Sequence, residues 1–573
     1  MDQAAVPAVF NYQPIPAAVG GYYSQAKQPP SNGTSFQAGQ WIQLPIVTGR
    51  IGQFYDPQRC YFMFRVLMGS AQGLMLERVG AHAFFESVEL WLNGQPLEQI
   101  QQYNCLMQLI RDQYYGLGRS DVCAEVEGCA VENMIGVSMS PANADNPSGA
   151  MVMPQGTAGV STDTDSDLIV VLSQQTLGTA STDPNDATIV PGVLANVTGG
   201  PNALIPGNGG TANSTWRWFA VPILSGLLGT LASKAFPALV FAPGSLFWQI
   251  KLAQSAAPGT RFVPAAVANQ KYALSLTPFV ATDTWTIDNF NFVSGAVTLQ
   301  SGVAATILSA AASGQLDLNT KSFTNVFVSI PASQTAANLI VPLRKLSLNS
   351  IFVTFRDPNR ETGSGTATTV LASSYGGFLS RVAPTGCLNE TFTAQWRFGN
   401  ELIREYPYQQ HVEFYVEVLR NLHEWFDKEL NFCTALRPIR ALAPLTTANT
   451  YVMGQSAALF HPVGGFYATY ADSNNGATPP VYTATAIAWT CDKPTQLLQQ
   501  CGFFLALDLD VFSGSSSTSR SGRNTTGDQI TVNLTNGAAT SGLFGARNMR
   551  ADFFGMHDLR VNIQSGGIAV PVS

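Results

Sequence analysis

The chain has 573 residues, enough for two to four domains by length alone, and it is 46% hydrophobic but only 12% charged, about half the usual charged fraction. The formal net charge of −7, with only Asp2 and Lys27 charged through Gln40, excludes the basic arm that neutralises a packaged single-stranded genome. The start Met1-Asp2-Gln3 lacks the basic and apolar regions of a signal peptide, and the most membrane-like window, Ile223 to Ala242, is broken by Gly226, Gly229, Lys234 and Pro237, so no membrane span is expected.

The first forty residues read as a loose N-terminal arm rich in Ala, Pro, Gly and Gln. Tyr61 to Met68 then reads as a buried strand, followed by Leu74 to Val79. Phe84 to Leu97 follows as a hairpin turning at Asn93-Gly94, a pair that tolerates positive φ. A helix is expected from Gln101 to Tyr115, with Tyr103, Leu106, Met107, Ile110 and Tyr114 on one face. Residues 116–215 are Gly-, Ala-, Ser-, Thr-, Asn- and Pro-rich, with no Lys or Arg between Ser120 and Trp216. A long inserted loop is expected there. Strands resume at Trp216 to Leu224, Ser245 to Leu252, Tyr272 to Val280 and Val293 to Leu299.

The second half starts with Phe323 to Ile330 and Ser350 to Phe355. A second hairpin, Thr391 to Ile403, turns at Gly399-Asn400. It leads into a helical pattern from Gln409 to Trp425, with Val412, Tyr415, Val416, Leu419 and Leu422 on one face. A looser loop over 434–492 precedes the strand Phe503 to Val511, and Leu559, Val561 and Ile563 mark the last strand. The hairpin and helix thus occur twice, too far apart for a solenoid. Each half offers about eight short strands. The fold class expected is all-β, two consecutive eight-stranded jelly rolls with short helices and long loops: an arm at 1–40, a first jelly roll at 41–305 and a second at 306–573.

Low charge has two readings, large permanent protein interfaces or the Ser/Thr/Asn/Gly surface of a secreted β-rich protein. The eight cysteines, Cys60, Cys105, Cys123, Cys129, Cys387, Cys433, Cys491 and Cys501, form no C-x-x-C pair and are expected reduced and buried. Asp163-Thr164-Asp165-Ser166-Asp167 begins like a calcium loop but lacks its Gly and distal Glu, and reads as a solvated acidic turn. No catalytic constellation assembles from His82, His411, His423, His461 and His557. His411 and His423 lie too far apart for an i, i+4 metal pair, and Asp508 with Asp510 reads as a solvated strand face before a glycosidase pair. No catalytic residue, metal or cofactor is expected.

The residues Phe85 to Leu97 with their helix resemble the first jelly roll of double jelly-roll major capsid proteins. Phe219 to Gly229, followed by Phe236 to Leu239, is similar to a further segment of that domain. Val341-Pro342-Leu343-Arg344, Phe398-Gly399-Asn400 and Tyr406-Pro407 are similar to features of the second. The nearest resemblance is to polintons, polinton-like viruses and virophages, within the adenovirus hexon lineage. It implies a structural capsid protein of an icosahedral double-stranded DNA virus, forming homotrimeric, pseudo-hexameric capsomers in the virion. Partners implied are neighbouring capsomers and minor capsid or penton proteins, with no specific nucleic-acid binding. The other reading is a secreted two-domain β-sandwich that binds glycans or hydrolyses glycosides, which predicts exposed Trp in a cleft and bridged cysteines.

Overall fold

The computed structural model describes residues 21–50, 52–69, 73–76, 79–114, 126–128, 204–205, 217–232, 234–255, 257–264, 274–277, 284–299, 301–314, 316–358, 384, 391–409, 413–414, 416–417, 471–472, 482–483, 504–510, 522–537, 542–545, 548–564 and 568–572. Its framework is all antiparallel sheet. The first half contributes β1 (Gly21–Gln28), β2 (Trp41–Pro45), β3 (Tyr61–Met68), β4 (Phe85–Leu92), β5 (Gln95–Gln101), β6 (Arg217–Pro222), β7 (Leu246–Leu252) and β8 (Trp285–Leu299). The second contributes β9 (Leu316–Ile330), β10 (Ala336–Val341), β11 (Leu348–Arg356), β12 (Phe392–Phe398), β13 (Glu401–Leu402), β14 (Leu505–Asp508), β15 (Ile530–Asn536) and β16 (Met549–Gln564).

The first sandwich stacks a sheet ordered β1-β8-β3-β6 on one ordered β2-β7-β4-β5. The second stacks β9-β16-β11-β14 on β10-β15-β12-β13, so adding eight to each label turns one sandwich into the other. Eight strands alternating between two sheets in this order make a jelly roll, and the chain holds two. The duplicated hairpin of the sequence is β4-β5 in one and β12-β13 in the other.

Local chemistry explains the strands. Along β3, Phe62, Phe64, Val66 and Met68 are buried while Tyr61, Met63, Arg65 and Leu67 are only half-buried, the period-2 pattern of a strand with one face in the core. Leu246, Trp248, Ile250 and Leu252 do the same on β7. Phe62, Phe64, Phe85, Trp248, Phe290 and Phe292 fill the first core, with Phe64 and Phe290 stacked at 5.2 Å.

Several elements depart from expectation. Within the expected arm, Gly21 to Gln28 is a sheet strand, paired from Gly21 with Leu299 to Gln28 with Phe292, and residues 1–20 lie outside the described residues. Strand β8 starts eight residues before Val293. It is broken by Asn289 at φ +50, where its pairing with β3 slips between Asp288 and Asn291. A helix not expected, α2 (Ser301–Ala312), spans the proposed domain boundary; its charge-free surface carries no amphipathic signal to betray it. The first expected helix is α1 (Tyr103–Tyr114), with Tyr103, Leu106 and Met107 buried and Ile110 partly buried against the core. Of the second, 413–414 and 416–417 are described as helical, and Phe414 and Glu417 rather than Val416 are buried there. Most of 116–215 and 434–492 lies outside the described residues.

The turn after β4 places Asn93 at φ +49 and Gly94 at φ +79. Gly94 faces open space, so only its backbone angle resists a side chain. Gly94→Ala is expected to cost about 1 kcal/mol in a urea unfolding titration, the strain of an L-residue in the left-handed region. At the second hairpin only Gly399, φ +55, takes that angle.

Candidate functional site: the junction and outer faces of the sandwiches

The sheet β9-β16-β11-β14 has no wet face over much of its area. In β11 all nine residues are buried. Ile351, Val353 and Phe355 point into the second core, while Phe352 joins the first core together with Phe504, Ala506, Phe554, Leu559, Val561 and Ile563. One sheet thus serves as its own sandwich's wall and as the neighbour's packing surface. Burial on both faces erases alternation, and this explains why Phe503 to Val511 reads as half-wet in sequence yet buries Phe504, Leu505, Ala506 and Leu507.

A tight turn after β6 is wedged into this junction. Ser225 Oγ accepts from the backbone N–H groups of Leu227 (3.1 Å) and Leu228 (3.2 Å) and donates to Glu98 on β5. Glu98 also accepts from Gly226 N (2.9 Å) and from Ser322 Oγ on β9 (2.6 Å), so one fully buried carboxyl joins the turn and both sandwiches. Burial pushes this carboxyl up, against the hydrogen bonds that favour its charged form. A Cβ on Gly226 would lie 2.3 Å from the Lys321 carbonyl oxygen, and one on Gly229 2.1 Å from that of Ile223. The glycines of the Ser225-Gly226-Leu227-Leu228-Gly229 segment are therefore fixed by backbone approach.

Beside it lies a second buried tie. Arg356 on β11 donates to Asp552 on β16 through Nε (2.9 Å) and Nη2 (2.5 Å), both residues fully buried, and Arg550 Nε adds a bond of 3.0 Å. Arg356 Nη2 also reaches Gln102 Oε1 of the first sandwich at 3.0 Å. Gln102 stands at φ +50 immediately before α1.

Between the edge strands β5 and β9 is a cleft of about 270 Å³, lined in part by Gln99, Gln101, Thr324, Asn325, Lys345 and His557. Burial, and then the charge of Lys345, pushes His557 down to about 3 from an ordinary 6.5, and its Nε2 lies 3.0 Å from Thr324 Oγ1. A histidine held neutral stabilises the fold fully above pH 6.5, and that stability is lost as pH falls toward 3. The free energy of unfolding in urea should therefore drop through this window by on the order of a few kcal/mol, and His557→Gln should flatten the drop.

The outer faces differ between the sandwiches. Register aligns Pro45, Phe247, Trp91 and Pro96 in one row across β2-β7-β4-β5, with Trp91 and Phe247 stacked at 6.4 Å. The equivalent face of the second sandwich carries Asn338, Asn533 and Gln395 in a row beside Thr535 and Thr393. Most exposed aromatics among the described residues sit on edge strands: Tyr22 and Tyr23 on β1, Trp41 on β2, Trp218 on β6 and Phe327 on β9, the last 60% exposed under the Arg550 guanidinium; Tyr406 is exposed in the loop after β13.

Those of the residues weighed in sequence that are described stand apart from one another or are bonded locally. Asp508 and Asp510 are half-buried and locally bonded, Asp508 Oδ1 taking the Asp510 N–H (3.0 Å) and Asp510 Oδ1 taking Asn349 Nδ2 (2.8 Å). His82 is buried 3.2 Å from Glu127, far from His557 in the chain, while His411, His423 and His461 lie outside the described residues. Cys60 and Cys105 are buried free thiols, and burial pushes Cys60 up to about 12. Among the described residues no cluster of three His, Cys, Asp or Glu could hold a metal, and no helix is long and apolar enough to cross a membrane.

Among solved structures, the chain is similar to a quasi-atomic capsid model of the virus PBCV-1, at 10% identity and a TM-score of 0.48, over 98% of this chain and 99% of that one. It is similar to the cryo-EM structure of the Sputnik virophage at 9% identity and a TM-score of 0.47, over 100% and 92% of the chains. The mavirus major capsid protein matches at 9% identity and a TM-score of 0.41, over 99% and 94%. No protein-family model and no curated protein matches.

Proposed function

We propose that the chain is a major capsid protein, a structural and non-catalytic subunit that assembles as a homotrimer of double jelly rolls in the shell of an icosahedral double-stranded DNA virus. The observation that carries this reading is the strand-for-strand repetition of the jelly roll within one chain, welded at a buried junction. Three copies of such a block around a threefold axis present six sandwiches in a pseudo-hexagonal outline, which tiles a shell. A tile must hold a fixed angle between its halves, and a junction built as core provides that stiffness. The chemically distinct outer faces suit pseudo-equivalent positions that meet different neighbours. Low overall charge suits surfaces buried between subunits.

The outward end is the one where β3 ends and β6 and β8 begin, since Met68 pairs with Trp285 and Val66 with Arg217. The connections leaving there, including Gly73–Leu76, Leu204–Ile205 and Gly259–Pro264, build a small extra sheet. Strand β6, which follows residues 116–215 in the chain, starts at this end, and this supports placing the acidic residues of that segment toward solvent or host. Protease treatment of intact particles should nick this segment first; cleavage confined to residues 1–40 would place it inside. Residues 1–20 tie the capsomer to neighbouring trimers or minor capsid proteins. Negative-stain images of the purified protein should show hexagonal, threefold particles. Isolated two-lobed particles would overturn the reading.

A further inference from the structure

We propose that Gln13 to Gly20 lie in extended form along the exposed side of α2 in their own chain. Helix α2 carries no charged residue, and of its described side chains only Ala304 and Ala311 are buried. It rests on the short helical turn Ala238–Val240 and on β9 and β16. Val303 and Leu308 are each 41% exposed, and Leu308 shares its stripe with exposed Ala305 and Ala312. A helix without a polar face belongs under cover.

Register, reach and composition select the occupant. Strand β1 pairs antiparallel with β8, Gly21 opposite Leu299, so the chain entering β1 and the chain leaving β8 pass the same end of the sheet on adjacent paths. Ser301 opens α2 directly beyond Leu299. At about 3.1 Å per residue Gln13 to Gly20 reaches about 25 Å, against about 18 Å for the 12-residue helix. The segment is uncharged like the helix and brings Ile15 and Val19 as apolar contacts. Pro14 and Pro16 favour extended backbone and remove two N–H donors that an apolar helix could not satisfy. Attachment at Gly21 gives the segment a local concentration that a separate molecule would have to match. Met1 to Tyr12 then leaves from the far end of α2 with Phe10 and Tyr12 free for a neighbour, and this consequence alone rests on the capsid reading.

Photo-crosslinking of the full chain tests this, with p-benzoylphenylalanine in place of Leu308, whose exposure spares the core. Ala305, on the same stripe, serves as a second probe position. Irradiation should join either probe to a peptide within Gln13 to Gly20, identified by mass spectrometry, and the product should keep the mass of one chain on a denaturing gel. Ile15→Asp with Val19→Asp should cut the yield about tenfold, since a carboxylate resists burial against an apolar helix. A product of two-chain mass would put a neighbouring copy on α2 and overturn the proposal. So would adducts confined to other residues, no adduct at either position, or a yield that the double substitution leaves unchanged. The expected adduct forms within one chain, in a monomer as in a trimer, so its failure is distinct from failure of the capsid reading.

Discussion

Asp552→Ala is expected to destabilise the chain by about 3–5 kcal/mol, read as a fall in the denaturant midpoint without a change in slope. The reason is the charge left behind. Arg356 is fully buried and presents two of its donors to Asp552, and Arg550 adds a third contact. Removing the carboxylate strands a guanidinium where water cannot reach it. Because Arg356 also bonds Gln102, the damage extends across the junction. The paired replacement Arg356→Met with Asp552→Leu removes both charges and should recover much of the loss. Recovery would separate the cost of an orphaned charge from any special worth of the pair. An Asp552→Ala protein as stable as wild type would show that the pair is not buried in solution.

Gly226→Ala is expected to be comparably severe, and its failure should be structural separation of the sandwiches. The added methyl would meet the Lys321 carbonyl at 2.3 Å and the Thr320 side chain at 2.8 Å, and backbone cannot yield as a flexible side chain can. Relief requires moving the turn out of the junction, which would break the Glu98 bonds to Gly226 and Ser225. Limited proteolysis should then cut between the two sandwiches, where wild type resists. Gly302→Ala is the control, since a Cβ there meets nothing within 4 Å and the residue is helical; it should be neutral or slightly stabilising. Equal protease resistance in Gly226→Ala and wild type would remove the wedge from the account.

Much of the framework was legible in the chain because most strands have one wet face. Strand β3 coincides with the expected Tyr61 to Met68, and β4, β7 and β12 follow from alternation or from a turn at Asn/Gly. Strands that escaped notice had other reasons to be silent. Strand β2 is short, though Ile42 and Leu44 alternate with exposed neighbours, and β1 is exposed along nearly its whole length, so no pattern marks it. Strands β11 and β14 were expected from Ser350 to Phe355 and Phe503 to Val511, but their burial on both faces removes the periodicity that would reveal which side they serve.

The junction was less legible than the fold. The Ser225 to Gly229 segment stood out as a motif, but nothing local says that Gly226 must admit the backbone of Lys321, almost a hundred residues on. Glu98, Ser322, Arg356 and Asp552 look like ordinary strand residues. Their meaning lies in partners 127 to 254 residues away, and separation of that size leaves no trace in a spacing rule. The same holds for the cleft residues Lys345 and His557, which come together only when β11 pairs with β16, Leu348 opposite His557.

The most direct test of the central claim is the mass of the purified, full-length protein at micromolar concentration by native mass spectrometry. The account predicts a single dominant species of three times the 61.2 kDa chain, persisting on dilution. A stable monomer of 61.2 kDa would contradict it.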